Sequence, residues 1–379
     1  MTNLKAAVIG AGFVGRAHVD ALRRLNVPIL GLLDNTPERT RQLNEQLGLP
    51  RDYASLEQLA SDDAVDVVHV CTPNYLHFEQ CSTLLRAGKH VICEKPLATT
   101  SAECAKLVDL CGTTGRLGAV SYNLRYYPMC QEAKAIIASG AIGEPRLVHG
   151  GFLQDWLLYP TDWNWRLEPE LGGELRAVAD IGTHWLDLVT WLIERKITAI
   201  CADLATVVRC RFKPRGLVET FQAAQASNAD EVTIRTDDYA SLLLHFQHDI
   251  RGVMTVSQVS AGRKAHLSFE VDGSEGSLAW NSESPNELWI GSRKQANQLL
   301  TKDPSMMHPA TRHFASFPGG HQEGYGDTFY QFFREFYEYV ASDRSTTARF
   351  PSFETGHEKV LLCESILRSQ RDRRWVALD

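Results

Sequence analysis

Over the first 122 residues, short apolar runs alternate with amphipathic stretches. Ala6-Ala7-Val8-Ile9 is apolar throughout, as a strand covered on both faces must be; a strand with one wet face would alternate. After it, Val14, Ala17, Ala21, Leu22 and Leu25 recur at helical spacing. Residues 28–33 read as a second strand, and Thr36 with Pro37 supplies an N-cap and a first-turn proline for the next helix. A third strand is predicted at 65–70, a helix at 76–87 stopped by Gly88, and a fourth strand at 90–93. Thr100-Ser101-Ala102-Glu103 forms a capping box, and 117–122 closes the series. Strands alternating with helices predict a doubly wound parallel sheet with helices on both faces.

The pattern changes after Tyr122. Helices are predicted at 129–139, 180–193 and 327–341, separated by strand-like runs at 146–154, 197–208, 239–246, 252–259 and 267–271. Short turns between such runs predict an open, mostly antiparallel sheet. Residues 213–230 are polar and rich in Gln, Ala and Ser, which reads as a surface loop. A last helix at 353–367 could pack back on the first domain. The expected organisation is an α/β chain with one domain at 1–122 and a second at 123–379.

With 379 residues, 44% hydrophobic and 22% charged, the chain is long enough for two domains whose cores need neither disulfide nor metal. The net charge of −7, without a basic block, argues against a nucleic-acid partner. No segment approaches the ~20 apolar residues that cross a bilayer, so no membrane role is expected. The N-terminus runs directly into a strand pattern without a secretory signal, which points to the cytoplasm. Nine cysteines, an odd number with no CxxC, read as reduced, mostly buried thiols. His245 and His248 lie three apart in a strand-like run and so face opposite sides; no metal site is expected.

Gly10-Ala11-Gly12-Phe13-Val14-Gly15 falls between the buried strand and a helix, and Asp34 follows 19 residues after the last glycine. Gly10 permits the tight turn, Gly12 lets backbone N–H groups approach a pyrophosphate, and Gly15 allows close helix–strand packing at a helix N-terminus that favours anions. These glycines, with Phe13 and Val14, are the candidate cofactor cradle. Asp34 would accept hydrogen bonds from adenosine ribose hydroxyls and would repel a 2′-phosphate, which favours NAD over NADP. Arg39, close to it in sequence, is a further candidate contact. The bland alternative for Asp34-Asn35-Thr36 is a simple turn with a solvent-facing carboxylate.

Three further stretches stand out. They are Val70-Cys71-Thr72-Pro73-Asn74-Tyr75-Leu76-His77, then Gly88-Lys89-His90-Val91-Ile92-Cys93-Glu94-Lys95-Pro96-Leu97, then Gly172-Gly173 followed by Asp180-Ile181-Gly182-Thr183-His184-Trp185-Leu186-Asp187. Together with the glycine loop they resemble the glucose–fructose oxidoreductase/inositol dehydrogenase (Gfo/Idh/MocA) family over essentially the whole chain. The resemblance implies a Rossmann domain followed by an α/β domain with an open sheet. It also implies a nicotinamide cofactor at the strand ends, a sugar or cyclitol substrate between the domains, and a homodimer or homotetramer. Thr72, Pro73, Asn74 and His77 match the TPN-x-x-H motif that lines the cofactor's ribose and nicotinamide side. Glu94, Lys95 and Pro96 match EKP, where the peptide before the proline is often cis. Asp180, Gly182 and His184 match DxGxH, and Trp165-Arg166 resembles a Trp-Arg pair near the cofactor. The chain departs from the family pattern at 174–179, where relatives carry smaller, more apolar residues.

Oxidising a secondary alcohol requires a hydride acceptor and a base for the hydroxyl proton. Asp180 and His184, four apart, share one helix face, which Asp187 continues, while Ile181, Trp185, Leu188 and Leu192 form an apolar face. His184 is the expected general base, Asp180 orients it or accepts a substrate hydroxyl, and Lys95 stabilises developing alkoxide charge. Each residue alone also has a structural reading: Asp180 an N-cap, His184 a packed histidine, Lys95 a loop lysine. Trp156, Tyr159, Trp163 and Trp165 cluster before the double glycine and suit sugar C–H faces; Trp156 is the substrate-contact candidate. His321, in a glycine-rich polar loop, and Tyr122, Asn123 and Arg125, where the domains join, complete the candidates. The expected activity is NAD-dependent oxidation of a sugar, anhydrosugar or cyclitol hydroxyl to a ketone. The alternatives are NAD-assisted glycoside cleavage through a transient 3-keto intermediate and a non-catalytic NAD- or sugar-sensing regulator.

Overall fold

The computed structural model describes residues 3–216, 229–342, 345 and 347–378. The chain divides into two compact units, Met1–Asn123 with Gly326–Leu361, and Leu124–Tyr325 with Leu362–Asp379. The first unit thus ends its leading stretch next to the expected cut after 122 and takes in a returning stretch, 326–361, that includes the start of the last helix.

In the first unit, six strands form one parallel sheet: β1 Ala6–Ile9, β2 Ile29–Leu33, β3 Arg51–Asp52, β4 Val67–Val70, β5 His90–Cys93 and β6 Gly118–Val120. Their order is β3-β2-β1-β4-β5-β6. Every residue of β1, β4 and β5 is buried, which is why these runs carry no polar alternation. Thr36 and Thr100 cap the helices Pro37–Leu47 and Ser101–Thr114 by accepting the N–H of Arg39 and of Glu103. The order reverses between β1 and β4, so the loops after these two strands flank the crevice where open α/β sheets bind ligands. The helix Tyr325–Ala341 lies in the stretch returned to this unit. Its Phe329 and Phe333 rings pack against His18, and Phe333 also meets His69.

In the second unit, nine strands form a mixed sheet: β7 Pro145–Leu153, β8 Ile197–Ala205, β11 Tyr239–Phe246, β12 Arg251–Ser257, β13 His266–Gly273, β14 Gly276–Asn281, β15 Glu287–Ser292, β16 Gln298–Thr301 and β17 Val376–Ala377. The order is β16-β15-β14-β13-β7-β12-β11-β8-β17, and only β7 and β12 run parallel to each other. One face, including Val148, Leu242, Leu244, Met254 and Val256, joins the core with the helices Pro128–Ala138 and Thr183–Ile193. On the other face Leu147, Leu243 and Val253 are exposed. Two shorter strands, β9 Cys210–Pro214 and β10 Ala229–Thr233, pair separately. The ends of the predicted 213–230 loop are thus strands, a correction that follows from their cross-strand pairing; its middle, 217–228, lies outside the described residues. The helix predicted from 180 also differs. It opens as a π-helical turn, Val178–Gly182, and becomes α-helical at Thr183.

Close approach of backbones fixes the parallel β7–β12 pair. A Cβ on Gly151 would collide with the carbonyl oxygen of Thr255, an atom that no rotamer change can move away. Gly151→Ala should therefore lower stability by about 1–3 kcal/mol, read as a lower urea midpoint with an unchanged slope.

Candidate functional site

The glycine loop follows β1 and opens the helix Phe13–Arg24. Gly10 has φ of +87°, and a Cβ there would sit 2.8 Å from the Cys71 carbonyl oxygen after β4. A Cβ on Gly15 would strike the Gly10 carbonyl, so this position must stay bare for the helix to meet the strand. Gly12 differs: no atom lies within 4 Å of where its Cβ would be, which leaves room for a ligand to approach the backbone. Phe13 is exposed and Val14 half-buried on the first helical turn. The Asp34 carboxylate accepts the N–H groups of Ala11 (2.9 Å) and Asn35 (2.7 Å) and pairs with Arg39 at 3.3 Å. It is thus tied to the loop itself rather than left facing solvent. An open cradle, a helix N-terminus and an acid at the end of β2 fit a dinucleotide.

The TPN and EKP stretches follow β4 and β5. Thr72 donates its hydroxyl to Gln80 (2.6 Å), Pro73 caps the helix Asn74–Arg86, and Asn74 is its buried first residue. His77 is fully buried, with its ring nitrogens 2.8 Å from the carbonyl oxygens of Thr72 and Pro96. It clamps one motif to the other, and burial pushes its pKa below the usual histidine value. The Lys95–Pro96 peptide is cis, and Lys95 is 9% exposed.

Glu94 belongs to a buried polar chain that the sequence reading missed. Its carboxylate lies 3.1 Å from His18 Nε2, His18 Nδ1 lies 3.0 Å from His69 Nδ1, and His69 Nε2 lies 3.0 Å from the Tyr337 hydroxyl. The carboxylate can only accept, so His18 Nε2–H donates to it. The senses of the two remaining contacts are set by the tautomers of the two rings. Burial and the nearby His18 hold His69 well below its usual pKa, in keeping with a neutral ring. Burial alone would raise the Glu94 pKa, but the His18 bond and charge, Lys95 and Ser121 outweigh it and bring it to about 2. The visible signal was His18's place on the apolar stripe of its helix, four residues after Val14.

In the second unit, Asp180 stands in the π-helical turn just ahead of His184, which is 9% exposed. Arg166 Nε lies 3.0 Å from Asp180 Oδ1, and Gln258 Nε2 donates to Oδ2 at 2.8 Å. The Arg166 guanidinium also stacks over the Trp165 ring at 4.3 Å. The structure therefore brings the Trp165-Arg166 pair and the DxGxH aspartate together. Asp187 does not extend a free polar stripe: it forms a buried two-point ion pair with Arg125. Asn123 donates to Thr328 at 2.7 Å and Tyr122 is buried, so these candidates also serve packing. Trp156 packs partly buried against Leu157, Trp163, Leu167 and Ile234. His321 is exposed, in a loop anchored by Glu323, which the buried Lys302 (2.7 Å) and the Ser316 N–H (2.7 Å) hold. His245 stacks on Trp375, centroids 4.2 Å apart, whereas His149 meets Glu270 and Asp272 on the open sheet face at 3.9 and 3.6 Å.

A parallel sheet with a bare-glycine cradle at its switch point defines a dinucleotide-binding domain. Residues 4–122 match the oxidoreductase family with an NAD-binding Rossmann fold, and residues 130–279 match the GFO/IDH/MocA C-terminal domain. The chain belongs to the Gfo/Idh/MocA family of NAD(P)-dependent oxidoreductases. Levoglucosan dehydrogenase of Pseudarthrobacter phenanthrenivorans is 28% identical over 389 residues, covering 99% of this chain and 98% of its own. A levoglucosan dehydrogenase structure with NADH and L-sorbose superposes with a TM-score of 0.89 at 28% identity, covering 99% of each chain. An inositol dehydrogenase homologue from Azotobacter vinelandii, complexed with NAD+, gives 0.87 at 27% identity over 100% of each chain. Among the described residues, no helix is long and apolar enough to cross a membrane.

Gly15→Ala should weaken NAD binding at least tenfold, read by calorimetry, because the new methyl displaces Gly10. The depressed Glu94 pKa makes its contribution pH-dependent. The stabilisation is fully present above the unfolded value of 4.5 and is lost as pH falls towards 2. Glu94→Gln should lower stability at pH 7 and flatten the acid limb of the unfolding free energy between those pH values.

Proposed function

We propose that this chain oxidises a secondary ring hydroxyl of an anhydrosugar, sugar or cyclitol to a ketone, with NAD as hydride acceptor. The carrying observation is the Asp180 carboxylate, oriented by Arg166 and Gln258 on the turn that leads into His184. Similarity along the full chain to an enzyme named for levoglucosan supports an anhydrosugar or related pyranose as the substrate class.

When bound, the nicotinamide supplies the hydride-accepting carbon. His184 takes the hydroxyl proton, its imidazole being the side chain that titrates nearest neutral pH. Asp180 orients the imidazole and accepts a hydrogen bond from the substrate. Lys95 donates to the reacting oxygen and stabilises its growing negative charge. The Asp34 carboxylate receives the adenosine ribose hydroxyls, which favours NAD over NADP. The apolar residues Leu147, Leu243 and Val253 on the open sheet face support a homo-oligomer, which light scattering would report as more than one chain's mass.

Screening NAD reduction against levoglucosan, inositols, hexoses and glycosides tests the activity. Lys95→Ala and His184→Ala should retain NAD affinity within about twofold and lose at least two orders of magnitude in turnover with whichever sugar reduces NAD. Near-normal turnover in both variants would overturn these roles. Asp34→Ala should raise the KM for NAD about tenfold and narrow the gap to NADP, since Arg39 would then be free to meet a 2′-phosphate.

A further inference from the structure

Gln258 and Arg176 continue the polar network inward from Asp180. Gln258 is fully buried immediately after β12, where its backbone N–H donates to the Asp238 carbonyl at 3.0 Å. Its carboxamide Nε2 donates to Asp180 Oδ2 at 2.8 Å, and its Oε1 accepts from Arg176 Nη1 at 2.9 Å. The sense of that amide is set by chemistry. A flipped amide would press its oxygen on the carboxylate and its NH2 on the guanidinium, replacing two attractions by two repulsions. Arg176 is 1% exposed. Its guanidinium is itself tied down by Asp238 and by Thr236 Oγ1 at 3.3 Å, and its backbone N–H donates to Asp237 Oδ1 at 2.6 Å.

Arg176 stands within 174–179, where the chain departs from the small residues of the family pattern. Resting on the reading that Asp180 serves the reacting hydroxyl, we propose that Gln258 and Arg176 are positioning residues. Acting through Asp180, they hold its carboxylate as an oriented anion. The charged groups around Asp180 come from five segments. Arg166 meets its first oxygen, Arg176 reaches its second through Gln258, Asp238 is shared between Arg176 and Arg211 on β9, Asp237 precedes β11, and His184 follows on the helix. Burial raises the Asp237 pKa to about 6, against the pull of Arg176 and of the backbone N–H groups of Arg176, Val178 and Asp237 itself. As pH falls below that value, Asp237 takes a proton and the network loses one negative charge.

The test uses the full chain with Gln258→Met, which keeps the side-chain length and removes the amide. It also uses Gln258→Glu, which keeps the Arg176 bond and turns an acid towards Asp180, and Asp180→Asn as the control. With levoglucosan or myo-inositol as reductant of NAD, Gln258→Met should leave the KM for NAD within about twofold and cut kcat about tenfold or more. A readout free of turnover is the 13C NMR titration of labelled aspartate carboxyls, with the Asp180 resonance assigned by its loss in Asp180→Asn. Its midpoint should rise by about one unit in Gln258→Met, with Gln258→Glu moving it further. An unmoved midpoint and an unmoved kcat, with Asp180→Asn inactive, would overturn the positioning role and leave the proposed reaction standing. Full turnover in Asp180→Asn would overturn the reaction reading itself. Should Gln258→Met fail to fold, the same two readings on Gln258→Glu decide the matter.

Discussion

A carboxylate taken out of water survives as an anion only where fixed donors replace the water, and this constraint organises both units. Glu94 and Asp180 each have side chains 11% exposed. Removing either charge from solvent without partners would cost several kcal/mol. Glu94 is met by His18, which a second histidine and a tyrosine hold in turn. Asp180 is met by an arginine stacked on a tryptophan and by a glutamine braced on a buried arginine. In both cases the donor is itself immobilised, so the carboxylate has one orientation. The residue beside the first, Lys95, and the residue one turn past the second, His184, inherit that order.

The same economy of position shapes the nucleotide cradle. Gly10 and Gly15 are bare because their neighbours' backbones occupy the space, while Gly12 is bare with open space in front of it. Asp34 joins the cradle to the end of β2 through the Ala11 N–H, so the glycine loop and the acid are held together. His77, fully buried, places its ring nitrogens against the Thr72 and Pro96 carbonyls in the two loops that follow β4 and β5.

Much of this was legible in the chain. The mostly apolar, fully buried runs of β1, β4 and β5, the Thr36 and Thr100 caps and the glycine loop are local signals, and each appears where its local chemistry places it. The two-residue β3 and the five-residue helix Leu56–Ala60 are too short for a periodicity to register. Strands β14 to β16 were missed because their partners, not their own sequences, decide their state. The polar networks were missed for a different reason: Arg176 and Gln258 lie 82 positions apart, and His69 and Tyr337 lie 268 apart. No spacing rule connects them. Helical spacing puts Asp187 on the polar face of Asp180 and His184, but in a dry interior its carboxylate pairs with the Arg125 guanidinium that comes within reach.

The proposed reaction moves a hydride from a ring C–H of the substrate to the nicotinamide while protein side chains take the hydroxyl proton, and following the hydrogen itself reads it. Levoglucosan, myo-inositol and glucose, each deuterated at every ring carbon, are incubated with the enzyme and NAD, and the reduced cofactor is analysed by mass spectrometry. One deuterium at the nicotinamide C4 position and a keto product are expected from at least one of these substrates. Bound NAD that acquires no deuterium from any of them would contradict that reaction.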